Sequence, residues 1–553
     1  MDFKQEIIRQ LKRETRLKEI YLEVPPSPEF GDYAFPCFGL AKELKKNPNE
    51  IAQGLVRKIK LNGVIKRVEA KGPYLNFFVD KDKLIEAILK EIIKNRERYG
   101  SKNINKRALI EHTSINPNAS PHVGRARNAI IGDAVTRLLK FQGYKTEVHY
   151  YVNDVGKQIA MLVYAAKNKK ISFNGLLKKY VAINKKVEES KKIEKEVLNL
   201  LYELERGDKK IKKQFRDIVE TCVRGQIKIL SDLEINYDCY DYESKYLWNK
   251  DTKKIIERLK KTNKLFKDEN NRYVLNQEEY KLAMKAPFLV LTRSDGTSLY
   301  PLRDIAYNIE KLGRAKDENI VVLGEDQKLY FQQVAAALDL LKYKAPLAVF
   351  YSFILLKTGK MSTRKGDVVL LEDFMREAVK KAKEEIKKRK KAKVTEELAK
   401  TIGYGALKYS ILKISPEKNV VFDWQQALNF EGETGPYMQY AHARVCSILK
   451  KYKKKVSTNI DFSLFKESEE INLVKKLGEF PDTVDNALKN IRPSIIATYC
   501  YELAKVFNDF YEKHSVLKAE DSLRNARLLL IGCVKQVLKS SLNLLGIEAP
   551  ERM

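Results

Sequence analysis

The sequence predicts a multidomain α/β chain, and three observations carry that expectation. Its 553 residues exceed what one core fills, at about 100 to 200 residues per domain. A strand, loop, helix and second strand follow one another from Arg107, and beyond about Gln439 the chain keeps helical period to its end. With 44% apolar and 32% charged residues, there is enough material for cores beneath a charged surface, which excludes a globally disordered chain.

The elements are expected in the following order. Residues 1–99 form an N-terminal α/β unit, with a helix that opens at an Asn47 N-cap, as a capping box through Glu50, and buries Ile51, Leu55, Val56 and Ile59. Gly72-Pro73 reads as a turn before a strand from Tyr74 to Val79, and a helix to about Glu97 closes the unit. Ala108-Leu109-Ile110 then reads as a strand, Asn116 to Pro121 as a loop, the stretch to Phe141 as a helix, and Thr146 to Val152 as a strand. This βαβ unit predicts a Rossmann-like domain over residues 100–430, with a ligand crevice at the carboxyl ends of its strands. Residues from about 165 to 285 are lysine-rich and mostly helical in period, striped by Leu198, Leu201, Leu204 and by Ile218, Val219, Val223, and are expected to form a helical surface insertion. The sheet is expected to resume at Phe288 to Leu291 and Ile320 to Leu323, with a further strand from Phe350 to Leu356. The run Lys387 to Lys391 reads as a solvated helix face, with contact to tRNA as the alternative. An all-α domain over residues 431–553 completes the chain, with Gly546 as a helix terminator.

Charge narrows the class of partner. The 105 Lys+Arg against 73 Asp+Glu leave a net charge of +32, so a polyanion is favoured, nucleic acid before an acidic membrane surface; a merely lysine-rich composition is the alternative. No apolar run approaches the roughly 18 residues of a membrane span. The N-terminus has no signal-peptide core, and the six cysteines show neither metal-ligand spacing nor a dense disulfide pattern. A cytoplasmic protein with no resident metal is therefore expected.

Two segments carry candidate chemistry. In Ser120-Pro121-His122-Val123-Gly124-Arg125, Ser120 is placed to cap a helix and Pro121 to start it, which sets the His122 imidazole at a helix N-terminus where free N–H groups suit phosphate. Gly124 lets a nucleotide approach the backbone. A plain cap and turn would read the same way. In Lys360-Met361-Ser362-Thr363-Arg364-Lys365-Gly366, three cations and two hydroxyls crowd a short loop able to wrap a triphosphate and stabilise charge on leaving pyrophosphate, though a basic surface loop is the alternative.

Together the two segments resemble the paired signatures of class I aminoacyl-tRNA synthetases. The flanks resemble the arginyl branch of that family: Asn116-Pro117, Ile131-Gly132-Asp133-Ala134, Asn153 to Gln158, Ser294 to Thr297, Tyr300 to Tyr307, Asp326-Gln327, Glu433 to Arg444, and Glu29 to Tyr33 near the N-terminus. The likeness runs along nearly the whole chain. It implies an arginine–tRNA ligase that activates L-arginine with ATP, as its Mg2+ complex and with no permanently bound cofactor, and transfers arginine to tRNA(Arg).

The resemblance assigns roles residue by residue. It makes His122, Lys360, Arg125 and Lys365 the catalytic group, and it places ATP on His122, Gly124, Arg125, Lys360, Met361, Ser362, Thr363 and Arg364. Asn116 and Gln327 would hold the backbone end of arginine, Tyr300, Asp304 and Glu111 would face the guanidinium, and Ser114 and Arg125 would complete the pocket. The chemistry agrees, because a planar fork of five donors wants carboxylate acceptors that lysine could not match. Read without the family, Asp304 is a helix N-terminal charge and Tyr300 a core aromatic. Arg125 departs from the family, which usually has a second histidine there, and its detailed role is left open. The N-terminal unit resembles the family's tRNA-elbow-binding module and the C-terminal helices its anticodon-binding module. Between them, Trp424, Phe430 and Tyr437 are candidates to stack on unpaired bases, with a domain junction as the alternative. No membrane contact and a monomer are expected. The rival readings are a catalytically inactive tRNA-binding relative and a class I synthetase for another amino acid.

Overall fold

Alternation of buried Leu75, Phe77 and Val79 makes Tyr74–Val79 the central strand of an antiparallel sheet, flanked by Tyr33–Pro36 on one side and Ile65–Lys71 on the other. The computed structural model describes residues 3–25, 27–167, 169–315, 317–356, 369–389 and 394–553. Its chain clusters into two units. One comprises residues 1–99, 445–480 and 505–537, the other residues 100–444, 481–504 and 538–553.

In the first unit the helices Phe3–Thr15 and Pro48–Val56 pack apolar faces on the antiparallel sheet, burying Phe3, Ile7, Leu11, Ile51 and Leu55. The predicted Asn47 cap is present: its side chain accepts from Asn49 N–H, with Pro48 in the first turn. The Glu29 to Tyr33 motif is structural here. Gly31 has φ +93°, and a Cβ there would lie 2.7 Å from the Phe77 carbonyl oxygen, so only glycine lets the two strands approach. Asp32 then accepts from Val79 N–H at 2.9 Å and pairs with Lys475 at 2.6 Å. The helix Lys81–Asn95 follows, capped by Asp80.

The second unit is built on five parallel strands, β1 (Arg107–Glu111), β2 (Lys145–Val152), β3 (Cys239–Tyr242), β4 (Glu318–Gly324) and β5 (Leu347–Tyr351), in the spatial order β5-β4-β1-β2-β3. The chain leaves β1 towards β2 and β3, then returns to the other side of β1 for β4 and β5. The connections thus diverge between β1 and β4, the switch point at which such sheets bind ligands. The predicted helix after the first strand is Val123–Phe141, buried along most of its length.

Three expectations about elements are corrected. Cys239–Tyr242 lies within the stretch read as a helical insertion, yet it is the edge strand of the parallel sheet; four residues are too few to show a strand period. The helices Phe173–Glu189, Lys191–Arg206 and Lys209–Asp232 make up the helical part. Phe288–Val290 does not resume the parallel sheet but pairs antiparallel with Tyr273–Asn276, since its apolar residues serve the small core around Leu275, Leu289 and Leu291. The strand expected from Phe350 to Leu356 is broken at Ser352-Phe353 into β5 and Ile354–Leu356, which pairs with Val420–Phe422. Arg127 is wholly buried, and its guanidinium donates to the carbonyls of Ser352 and Ser415, which stabilises the break. Gly546, at φ +65°, follows the helix Asp521–Leu544 as predicted. No described helix is long and apolar enough to cross a membrane.

Candidate active site

The loop that leaves β1 is held under tension. Thr113 and Ser114 have φ of 82° and 42°, a left-handed conformation that costs of order 1–3 kcal/mol for a non-glycine residue and persists only where neighbours enforce it. Asn128 does so from the following helix, accepting from Thr113 N–H at 2.5 Å while donating to the Val322 carbonyl on β4 at 2.8 Å. The Thr113 hydroxyl is bound to Tyr237. Burial pushes the neighbouring His112 down to about 3, so it is a neutral packing residue. The strained turn carries Asn116 out to an exposed position, where its amide donates to Gln158 at 3.1 Å and its carbonyl accepts from Gln226 at 3.1 Å.

His122 stands at the N-cap of the Val123–Phe141 helix in extended conformation. The expectation that Ser120 caps the helix and Pro121 starts it is corrected. Val123 N–H donates to the Val369 carbonyl and Leu371 N–H to the Pro121 carbonyl, and this pairing keeps the chain extended until Val123. The Ser120 hydroxyl donates instead to Glu372 at 2.7 Å. A Cβ at position 124 would lie 3.0 Å from the imidazole Nδ1, so Gly124 leaves room for the ring over the first turn. Burial, and then the neighbouring Arg125 cation, push His122 down to about 4. It is a neutral hydrogen-bonding group at neutral pH. Lys360, Met361, Ser362, Thr363, Arg364 and Lys365 lie outside the described residues. The described chain resumes beyond them at Val369, hydrogen-bonded to the His122 segment.

The other wall is the helix Tyr300–Arg314. Tyr300, Asp304, Tyr307 and Lys311 follow the spacing of one helical face, and that face lies over β1. Lys311 Nζ binds Glu111 Oε2, both side chains being buried. Asp304 accepts from Tyr330 at 2.5 Å, and the Tyr330 ring lies 5.0 Å from that of half-exposed Tyr300. Burial pushes the Asp304 carboxyl up to about 6; the Tyr330 bond opposes this and the Glu111 charge adds to it. Arg303 pairs with buried Glu243 at 2.6 Å, and burial pushes Glu243 up to about 7. Gln327 follows β4 and its side-chain oxygen accepts from Gly324 N–H at 3.3 Å.

The structure therefore gathers Glu111, Ser114, Tyr300 and Asp304 at one strand end, with the Ser114 hydroxyl 3.5 Å from Glu111. Asn116, His122, Gly124, Arg125 and Gln327 occupy the loops and helix ends that follow β1 and β4. Glu111 already has a cation, so the two carboxylates are not equivalent. Lys311, Tyr330 and Gln226 were not foreseen. Lys311 continues the face begun by Tyr300 and was legible in principle, whereas Tyr330 and Gln226 arrive from distant segments without a local signal. Of the aromatic candidates, Trp424 packs against Phe374 and Phe422 at 4.5 and 4.8 Å, and Tyr437 lies 5.8 Å from Tyr501. Phe430 is buried against Tyr440, so in this conformation its ring offers no face to a base.

Residues 88–424 match the family of class I tRNA synthetase (R) catalytic domains, residues 438–553 the DALR anticodon binding domain, and residues 2–79 the arginyl tRNA synthetase N-terminal domain. The arginine–tRNA ligase of Methanocaldococcus jannaschii is 42% identical, covering 100% of both chains, and that of Pyrococcus furiosus 36%, covering 96% of this chain and 95% of that one. The arginyl-tRNA synthetase structure from Thermus thermophilus superposes with a TM-score of 0.87 at 28% identity, covering 99% of each chain. Full-length identity of this order, with family models that cover nearly the whole chain, places the chain in the arginyl-tRNA synthetase family of class I.

Proposed function

We propose that this chain is an arginine–tRNA ligase that works in two steps. The arginine carboxylate attacks the α-phosphate of ATP, expelling pyrophosphate and leaving arginyl-adenylate; a hydroxyl of the terminal ribose of tRNA(Arg) then takes the arginyl group and releases AMP. No protein nucleophile is needed, and rate comes from positioning and charge stabilisation. The observation that carries the reading is the acidic helix face of Tyr300 and Asp304 laid over Glu111, at the strand end that also leads to His122.

Asp304 takes the guanidinium, since Glu111 is partly neutralised by Lys311 and serves as a second, weaker acceptor. Tyr300 covers the fork, and Asn116 and Gln327 hold the α-amino and carboxylate end, with Ser114 supporting Glu111. His122 donates to the phosphates as a neutral imidazole at the N-terminus of the Val123–Phe141 helix. Arg125 supplies a permanent charge to phosphate or carboxylate in place of a second histidine. Lys360, Arg364 and Lys365, with Met361, Ser362 and Thr363, are assigned to the triphosphate on the family signature alone; the hydrogen bonds that tie Val369 and Leu371 to Val123 and Pro121 bring the chain that follows this segment beside His122. Mg2+ enters with ATP as part of the substrate.

Residues 1–99 serve the tRNA elbow, residues 100–430 the chemistry and residues 431–553 the anticodon, with Trp424 and Tyr437 the aromatic groups best placed to meet unpaired bases. The chain works as a monomer in a reducing cytoplasm, a reading supported by six cysteines that form no disulfide. Arginine-dependent ATP–pyrophosphate exchange, measured with tRNA present and compared across twenty amino acids, tests it. Exchange with arginine alone supports the ligase; exchange with another amino acid, or none above background, overturns it.

Two substitutions probe the wiring. Gly124→Ala pushes a methyl against the imidazole and is expected to slow exchange about tenfold while leaving the KM for arginine unchanged, because the group displaced is on the phosphate side. Tyr330→Phe removes a bond to an ionised carboxylate, worth about 1.5–3 kcal/mol, and is expected to raise the KM for arginine roughly tenfold or more, most strongly near pH 6.

A further inference from the structure

Period-two alternation sets Glu147 and His149 on one face of β2, and register places Cys239 directly opposite His149 on β3 with Asp241 two residues on. The four side chains meet in one cluster. His149 is wholly buried; its Nδ1 lies 2.5 Å from Asp241 Oδ2 and its Nε2 lies 2.9 Å from Glu147 Oε1. Cys239 Sγ lies 3.3 Å from the same Glu147 oxygen, and the three donor atoms of Glu147, His149 and Cys239 all fall within 4.8 Å of one another.

The hydrogen-bond pattern leaves a cation to be accounted for. An ionised carboxylate only accepts, so Asp241, which also accepts from Tyr307 at 2.8 Å, fixes the Nδ1–H form of His149. In the neutral ring Nε2 is then an acceptor facing a second carboxylate at hydrogen-bond distance. Two acceptors that close require a positive charge between them, either a proton or a metal ion. A carboxylate behind the far nitrogen of an imidazole is how metal-binding histidines are oriented. Tetrahedral zinc, with bonds of about 2.0–2.3 Å, separates its ligand atoms by roughly 3.3–3.8 Å, so the two contacts that Glu147 makes, at 2.9 and 3.3 Å, need to lengthen by only a few tenths of an ångström.

We propose that Glu147, His149 and Cys239 bind a divalent cation of the zinc class, with Asp241 orienting the histidine and water in the fourth position. Binding releases the Cys239 thiol proton, and the Nε2 proton where His149 carries one, to solvent. Arg314 is the resident competitor, its guanidinium 3.3 Å from Glu147 and 3.8 Å from Cys239. It also holds Glu310 at 2.9 Å and keeps that partner when a metal displaces it. The site clamps β2 to β3 across the segment that separates them, a structural role outside the reaction proposed above. Nitrogen, oxygen and thiolate donors select zinc-like ions over Mg2+.

Equilibrium dialysis of the full chain against Co2+, with Mg2+ in excess, followed by absorption spectroscopy, tests the proposal. One Co2+ per chain is expected, with tetrahedral d–d bands and a thiolate-to-cobalt charge-transfer band that Zn2+ abolishes. The other five cysteines are buried, so Cys239→Ser, at a partly exposed position, should remove the charge-transfer band and weaken binding at least tenfold. Arg314→Gln removes the competing charge and should tighten Co2+ severalfold, with a rise in Tm on adding Zn2+. Absence of the band in the native chain, its persistence in Cys239→Ser, or weaker binding in Arg314→Gln overturns the proposal, and none of these readouts depends on which amino acid the enzyme activates.

Discussion

Asp304→Ala is expected to cut kcat/KM for arginine by about two to four decades, since removing one partner of a buried charge pair costs about 3–5 kcal/mol. The bound guanidinium would be left with Glu111, whose charge Lys311 already shares. The KM for ATP should change little, because Asp304 lies on the helix face over β1 and not in the His122 segment. Steady-state exchange kinetics with varied arginine measure this, and unchanged arginine kinetics would remove Asp304 from the pocket.

The same carboxyl sets a pH dependence with a definite sign. Burial raises Asp304 to about 6 in the folded chain, against about 3.9 for an unperturbed Asp. Its contribution to stability is fully present below about pH 4 and is lost as pH rises through 6, because the unfolded chain ionises first. Arginine reverses the balance by pairing with the ionised form. The KM for arginine should therefore rise about tenfold per pH unit below pH 6, and the rise in Tm on adding arginine should grow between pH 5 and 7. A KM flat across that interval would contradict the assignment.

His122→Ala is expected to lower the exchange rate by about a hundred- to a thousandfold, the range for loss of one preorganised donor to developing charge. The KM for arginine should hold within a few fold. Since His122 is pushed down to about 4, the rate should show no limb near pH 6.5 arising from its titration; a limb there that disappears in His122→Ala would mean that the working ring is charged. A loss of less than tenfold would reduce the residue to a structural cap.

What was legible in the sequence follows from the range of the interactions involved. The strand of β1 and the helix after it announced themselves through period and length, and the Asn47 cap needs only its neighbours. The paired signatures and the Tyr300 to Asp304 segment pointed to the reaction through their resemblance to the arginyl branch of the class I synthetases; read without the family, each had a plain structural alternative. The short strands Cys239–Tyr242 and Phe288–Val290 were misplaced because their partners lie on other segments and so few residues carry no reliable period.

Charge state was decided by tertiary structure alone. Asp304 is an ordinary acid in sequence and a group pushed up to about 6 in the fold, because burial removes water and Glu111 brings a like charge from another segment, against the opposing bond from Tyr330. Lys311 takes one of the two carboxylates the sequence offered as equals, and Asp241 orients a histidine that the sequence left without a role. Residue types determine which chemistry is available; which of those groups is ionised, paired or strained depends on solvent exclusion and on neighbours remote in the chain.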